Sequence, residues 1–216
     1  MNKLTILFLT HLTLLGLISC TPDVAEIKTV NFDSLAPDPS EGITVKQSQE
    51  FSKLILRLQK ENTLNKKLKE TPLKSLNGNE LFLSDVLGGK RAILLIGSSY
   101  CAYSRRCFFK NIPLINDSLK KINIKSRLIK LVIDESTFKK PNKPDSIFKA
   151  YLQTAQSFYP NKTYIISRED AFKLNILNTN IYFINKNMVV KQIEWGASID
   201  MPFKRFDIIK QFFSTN

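Results

Sequence analysis

Histidine is almost absent from this chain of 216 residues, and its single example is His11. His11 lies in an apolar N-terminal segment that is too short to span a bilayer stably and that fits a cleaved secretory signal. The processed chain would then contain no histidine, which excludes a histidine-dependent catalytic triad and a mixed His/Cys metal site. We therefore expect neither a metal site nor a cofactor.

Cysteine is scarce as well, with three in the chain, and the first directly follows the apolar segment. The stretch Leu17-Ile18-Ser19-Cys20 resembles a bacterial lipobox, in which the cysteine receives acyl chains such as palmitate and the preceding residues are removed. This pattern predicts a signal peptide over residues 1–19, lipidation at Cys20 and a lipid-anchored protein of the bacterial cell envelope. Thr21 rather than Asp follows the cysteine, which favours the outer membrane, facing the periplasm or the cell surface. The alternative is an ordinary signal peptide with a chance cysteine.

Acidic residues are few: the chain has 19 Asp and Glu against 32 Lys and Arg, for a formal net charge of +13. Removal of residues 1–19 takes away only Lys3 and leaves +12. Such a surface is either simply solvated or attracts anionic lipid headgroups and acidic partners. We expect no nucleic-acid partner, because an exported lipoprotein rarely meets one.

Two segments separate the signal from the domain that follows. Residues 20–43 are rich in Pro, Ser, Asp and Glu without a sustained period, and they are predicted to form a flexible tether. Residues 44–70 are predicted to form an amphipathic helical extension, since Thr44 and Gln47 have the spacing of a capping box. This helix either packs on the domain or lies on a membrane. Its apolar face comprises Phe51, Leu54, Ile55 and Leu58.

Residues 71–216 are predicted to form one α/β domain. Asn77-Gly78 is a hairpin signal between two short strands. The apolar run Arg91–Gly97 is typical of a strand buried on both faces, and a helix from Ala102 to Lys121, kinked at Pro113, should follow it. The order of elements predicts a central mixed sheet of four or five strands flanked by helices. The other predicted elements are a strand over Ile124–Asp134, a helix over Asp145–Phe158, antiparallel strands over Ile181–Asn185 and Met188–Glu194, and a helix over Pro202–Phe213.

The stretch LKSLNGNELFLSDVLGGKRAILLIGSSYC, Leu73–Cys101, resembles the opening of the thioredoxin-like redoxins of bacterial envelopes, the TlpA/ResA-like disulfide reductases. The shared features are a hairpin leading to Leu83-Ser84-Asp85, then Lys90, a buried strand, and an aromatic residue before a cysteine. A second stretch, Tyr182–Asn187, is similar to a later strand segment of the same family. The resemblance covers Leu73–Phe213, and it implies a thioredoxin-like fold that acts on protein thiols or disulfides of the envelope.

The same resemblance implies the site residues. Cys101 takes the place of the attacking cysteine, Ser104 stands where the resolving cysteine belongs, and Tyr100 faces the substrate. Asn178 or Thr179 stands where the family has a proline opposite the cysteines. The chain therefore has a Cys-x-x-Ser motif and lacks that proline, and both departures bear on how substrates are bound and released.

Electrostatics favours a reactive thiol at Cys101. A cysteine at the N-terminus of a helix interacts with the positive end of the helix dipole and with backbone N–H groups, which stabilise the thiolate. Arg105 and Arg106 in the next turn would add to that field. The alternative is a small buried hydrophobic residue, which is the usual role of a cysteine outside disulfides.

Cys107 is the remaining candidate for a resolving thiol. On a regular helix its Cα atom would lie about 10 Å from that of Cys101, beyond the roughly 7 Å that a disulfide allows. Pairing therefore requires an unwound first turn or a helix that starts only after Ser104. Otherwise Cys107 packs against the sheet.

Two functions remain open at this point. The first is a membrane-anchored thiol–disulfide protein that works through Cys101, with mixed disulfides resolved by Cys107 or by a second thiol. The second is a redox-inactive thioredoxin-fold module that holds a partner at the membrane. A peroxidase that uses Ser98 is a weaker alternative, because this chain has Leu94 where such a site needs a proline. A copper-delivery protein is weaker still, because the processed chain has no histidine to complete a copper site.

Overall fold

The structure of the chain is a computed structural model that describes residues 24–35, 42, 44–99, 105–134, 145–176, 179–195 and 202–214. Within these ranges, no helix combines the length and the apolar character that crossing a membrane requires. The elements in them are organised around one sheet.

Seven strands form this sheet in the described part of the chain. They are β1 (Pro72–Ser75), β2 (Glu80–Phe82), β3 (Ala92–Ser98), β4 (Leu128–Asp134), β5 (Thr163–Ser167), β6 (Asn180–Ile184) and β7 (Val190–Trp195). Their spatial order is β2-β1-β5-β4-β3-β6-β7. β3, β4 and β5 run parallel, whereas β6 is antiparallel to β3, β7 to β6, and β1 to β5. β3 is therefore a central strand, and every one of its residues is buried, as its apolar sequence predicts.

Helices cover both faces of the sheet. Because successive side chains of a strand point to opposite faces, Ile93 and Leu95 pack under one set of helices while Leu94 and Ile96 pack under the other. The helices are α1 (Val45–Thr63), α2 (Leu83–Leu87), α3 (Ile112–Lys121), α4 (Asp145–Phe158), α5 (Arg168–Lys173) and α6 (Pro202–Ser214). α3 and α6 lie on the Ile93 face, and α2 and α5 lie on the Leu94 face. The unit β3–α3–β4, followed by the hairpin β6–β7 and by α6 on the face of α3, is the thioredoxin-like arrangement.

The predicted fold class is confirmed, although several predicted elements were wrong in detail. β4 begins at Leu128 rather than at Ile124, because the N–H of Ile124 donates to the carbonyl of Leu119 and closes α3 instead. The short elements β5, α5 and α2 were missed. The sheet consequently has seven strands among the described residues rather than the four or five expected.

The N-terminal segments pack on the domain over part of their length. Ile27 and Phe32 lie within the predicted tether, yet only 1% and 5% of their surface is exposed. The N–H of Ile27 donates to the carbonyl of Lys67 at 3.0 Å. The capping box at Thr44 is confirmed, and α1 ends at Thr63. The predicted segment boundaries themselves stay predictions, but residues 24–32 are docked rather than free.

Asn175 joins the N-terminal segments to the domain. Its backbone adopts the left-handed conformation, with φ of 56°, and its side chain is fully buried. Its Nδ2 donates to the carbonyl of Lys28 at 2.9 Å and to Oγ1 of Thr63 at 3.0 Å, and its Oδ1 accepts from the N–H of Val30 at 2.8 Å. One amide therefore connects the segment before α1, the end of α1 and the loop before β6.

Gln59 extends this buried polar network from α1 to the sheet. Its Nε2 donates to the carbonyl of Asn175 at 2.6 Å and to the hydroxyl of Tyr182 at 3.2 Å. Burial raises the pKa of Tyr182 above its usual range, against the opposing effect of hydrogen bonds with Gln59 and Thr63. The phenol therefore stays protonated, and its hydroxyl donates to the carbonyl of Leu174 at 3.1 Å. Satisfied polar groups of this kind fix one packing arrangement of α1.

Candidate functional site

The C-terminal end of β3 lies beside the beginning of β6 and the end of β4. In the register of the sheet, Ile96 stands opposite Asn180, and Ser98 stands opposite Ile133. Thr179, which precedes Asn180 in the sequence, is only 8% exposed. The structure therefore brings the predicted loop residue Thr179 to the end of the strand from which the chain continues towards Cys101.

Most of the other predicted site residues lie outside the described part of the chain. These are Tyr100, Cys101, Ser104 and Asn178, together with the lipidation residue Cys20. Their roles stay predictions. The site is instead defined by the described residues that surround this part of the sequence.

Cys107 is fully buried, as the alternative to pairing predicted. It begins a π-helical segment, Cys107–Asn111, in which the N–H of Ile112 donates to the Cys107 carbonyl, and α3 follows at once. Pro113 has no N–H and disfavours a regular helical turn before it. The helix was predicted to be kinked at Pro113, and the irregularity that the structure shows there is this widened π turn. Single π turns of this kind are frequent at functional sites.

Arg105 ties the start of the helical region to the end of β3. Its Nε and Nη2 donate to the Ser99 carbonyl at 3.3 and 3.1 Å. Ser99 itself is fully buried, and its hydroxyl has no hydrogen-bond partner among the described residues.

Lys130 is a residue of this site that the sequence interpretation missed. It is fully buried in β4, and its Nζ donates to the carbonyls of Leu95 and Leu131 at 3.2 and 3.1 Å. The same ammonium lies 4.2 Å from the ring centroid of Phe108 and 5.4 Å from that of Tyr151. Burying an ammonium is costly, and these carbonyls and aromatic faces offset that cost. The only sequence signal was a lysine inside an otherwise apolar strand.

Tyr159 connects α4 with the helical segment that carries Cys107. Its hydroxyl donates to the carbonyl of Phe108. Burial raises the pKa of Tyr159 above its usual range, and the nearby thiol of Cys107 and phenol of Tyr151 add to the effect. The Tyr159 hydroxyl therefore stays protonated as a donor, and the Cys107 thiol lies near it within a largely apolar part of the core.

The described residues offer no group of three or more His, Cys, Asp or Glu side chains with the arrangement of a metal site. The predicted absence of a metal and of a cofactor stays a prediction.

The matches to this chain are found among solved structures, and not among family models or curated proteins. No protein-family model matches the chain, and no curated protein matches it. Among solved structures, a thiol:disulfide interchange protein from Bacteroides sp. is 12% identical over 68% of this chain and 88% of that chain, with a TM-score of 0.49. The thioredoxin domain of a thiol-disulfide oxidoreductase from Bacteroides vulgatus is 12% identical over 68% of this chain and 94% of that chain, with a TM-score of 0.49. ScoI from Arabidopsis thaliana with copper bound is 12% identical over 67% of this chain and 96% of that chain, with a TM-score of 0.49.

At these identities and TM-scores, none of these likenesses supports an inference about this chain. The strand order and the connections of the described chain define its fold independently of any neighbour. The chain has a thioredoxin-like fold.

Proposed function

We propose that this protein is a thiol–disulfide protein of the cell envelope that reacts through the thiol of Cys101. The observation that supports it most is the junction after β3. A fully buried strand ends at Ser98, and hydrogen bonds join the Ser99 carbonyl to Arg105 at the start of the helical region. Cys101 lies between those two residues in the sequence. A helix start with a fixed guanidinium favours the thiolate form of a cysteine.

The proposed reaction is thiol–disulfide exchange. The Cys101 thiolate attacks one sulfur of a substrate disulfide, and a new S–S bond forms between them. The substrate S–S bond breaks, and its electron pair leaves on the second substrate sulfur as a thiolate. Cys101 and the first substrate sulfur are then joined in a mixed disulfide.

Release of the substrate requires attack by a second thiolate on the mixed disulfide. That thiolate cannot come from the usual resolving position, because Ser104 stands there. Cys107 is one candidate, but its thiol is fully buried. Attack by Cys107 therefore needs local opening of the π segment, which exposes the buried side chains of Cys107 and Phe108. The other candidate is an external thiol from a small molecule or a partner protein. The substrates are accordingly protein thiols and disulfides of the envelope.

We also propose that Cys20 carries the lipid anchor and that the domain faces the periplasm or the cell surface. The support is the lipobox-like sequence. Replacement of Cys20 by alanine is expected to release the protein from membranes into the soluble fraction and to abolish labelling by a fatty-acid precursor. If the Cys20→Ala protein still pellets with membranes and carries the label, the proposed anchor is wrong.

The proposed reactivity is tested by alkylation of Cys101 in a protein that carries Cys20→Ala and Cys107→Ser. An ordinary thiol has a pKa of about 8.5. The rate of alkylation by iodoacetamide against pH is expected to follow a midpoint below that value, because a helix start and a nearby arginine stabilise the thiolate. Slow labelling with an ordinary midpoint would instead favour the redox-inactive binding module.

A further inference from the structure

A small cavity opens between the helical region that follows Cys101 and helix α4. Its volume is about 210 Å³, and it is lined by Arg105, Phe109, Ile147, Ala150, Tyr151 and Thr154. Four of these six residues are apolar or aromatic, and none is acidic. The position and the size of the cavity suit one side chain of a bound peptide rather than a whole cofactor.

The wall of the cavity is aromatic and held in place. The ring of Phe109 lies 5.1 Å from that of Tyr151 in a tilted arrangement, and 5.5 Å from that of Phe158 in a stacked one. Tyr151 is only 4% exposed. Aromatic pairs at these distances and angles are favourable, so the apolar surface is fixed before any ligand arrives.

Arg105 supplies the charge at this cavity. Its two hydrogen bonds to the Ser99 carbonyl fix the plane of the guanidinium. Its other N–H groups have no acceptor among the described residues, although a guanidinium offers five N–H donors. The side chain thus touches both the end of β3 and the cavity, which connects the cavity to the part of the chain that carries the proposed thiol.

We infer that this cavity is a substrate subsite that accepts an apolar side chain followed by a carboxylate, so that the preferred substrates carry an acidic, apolar sequence beside their reactive cysteine. The inference rests on the proposed function, since it names the substrate class of the same thiol. The apolar side chain fills the space against Phe109 and Tyr151, and the carboxylate binds the outward N–H groups of Arg105. The net charge of +13 over the chain favours the approach of such acidic segments.

The test uses short peptides whose single cysteine is blocked as a disulfide with 2-nitro-5-thiobenzoate. Attack by Cys101 on the peptide sulfur releases the coloured nitrothiobenzoate thiolate, so the rate of exchange is read directly. One peptide has Phe-Glu after the cysteine, a second has Phe-Lys, and a third has Gly-Glu. The protein is the full processed chain, with Cys20→Ala to keep it soluble. The Phe-Glu peptide is expected to react about three to ten times faster than either of the others.

Three variants separate the subsite from general electrostatics. Arg105→Gln should remove the preference for Glu over Lys, and Ala150→Phe should fill the cavity and remove the preference for Phe over Gly. Arg106→Gln is the matched control, because Arg106 is the neighbouring arginine, carries the same charge and does not line the cavity. It should slow all peptides alike and leave their ratios unchanged. Circular dichroism identifies any variant that fails to fold, and Arg105→Met, which also removes the charge, then replaces Arg105→Gln.

Equal rates for the three peptides, or equal loss of preference in Arg105→Gln and Arg106→Gln, would overturn the subsite. Failure of the proposed function gives a different result. The protein would then release nitrothiobenzoate neither from any of the peptides nor from the symmetric disulfide of nitrothiobenzoate. In that event the same peptides with serine in place of cysteine decide the question by fluorescence anisotropy. Binding that favours Phe-Glu and is lost in Arg105→Gln supports the subsite, and equal or absent binding refutes it.

Discussion

Cys101→Ser is expected to abolish mixed-disulfide formation with every disulfide substrate. A serine hydroxyl remains protonated at neutral pH and cannot form an S–S bond, so the exchange step has no nucleophile. Reduction of insulin disulfides in the presence of an external thiol should fall to the rate of the thiol alone. The loss should be the same with small and with peptide disulfides, because it removes the reacting atom rather than a binding contact.

Cys107→Ser is the matched variant and should leave the first attack intact. Cys107 is fully buried in the π segment, so it contributes little to the initial encounter. If Cys107 resolves the intermediate, the mixed disulfide at Cys101 accumulates in this variant, and if an external thiol resolves it, turnover is unchanged. Loss of the first attack in Cys107→Ser, with Cys101 unreactive, would contradict the assignment of roles.

Asn175→Leu is expected to have the largest effect on stability of any single substitution in the described N-terminal contacts. The change leaves the Lys28 carbonyl, the Thr63 hydroxyl and the Val30 N–H without their partner. A buried group left without its partner costs about 1 to 3 kcal/mol. The contacts with Lys28 and Val30 are only partly buried, so the loss should lie in the lower part of that range for each, and the free energy of unfolding should fall by about 3 to 6 kcal/mol in chemical denaturation. Limited proteolysis should then cut within residues 24–32, because Asn175 no longer holds that segment.

Asn161→Leu is the control for backbone strain alone. Asn161 also adopts the left-handed conformation, with φ of 58°, but it is exposed and its side chain makes none of these contacts. Asn tolerates the left-handed conformation better than Leu, for which it costs about 1 to 2 kcal/mol, so the control should lose no more than that. If both variants lose the same stability, the side-chain network of Asn175 contributes nothing measurable and its proposed role in docking the N-terminal segment is wrong.

Local sequence signals predicted much of the fold. The apolar run of β3 is buried throughout, and α4 spans Asp145–Phe158 as its pattern indicated. The Thr44–Gln47 capping box forms as expected. In each case the determining interactions lie within a few residues, so a pattern in the sequence is enough to define them.

The errors arose where distant contacts decide the structure. β5 is only five residues long, and it is a strand because β4 and β1 pair with it on either side. The segment around Ile27 has a polar composition, and its docking depends on Lys67 and Asn175, which are distant in the sequence. No period or composition could indicate these contacts.

The candidate site was predictable only in part for the same reason. The role of Cys101 was inferred from its position after a buried strand and stays a prediction. The burial of Cys107 was indicated by the apolar residues around it, and it is confirmed. Lys130 was missed, because a lysine in a strand is normally assigned to an exposed or edge position. Its burial depends on the carbonyl of Leu95 and the ring of Phe108, which come from other segments.

The most direct measurement of the central claim is intact-mass analysis of the processed chain with Cys20→Ala after incubation with an excess of glutathione disulfide, followed by peptide mapping. We expect one glutathione adduct, located on Cys101, in the wild-type protein or in Cys107→Ser, and none in Cys101→Ser. A loss of 2 Da that needs both cysteines would show in addition that Cys101 and Cys107 pair during resolution. A folded protein in which Cys101 stays unmodified would contradict the proposed thiol chemistry.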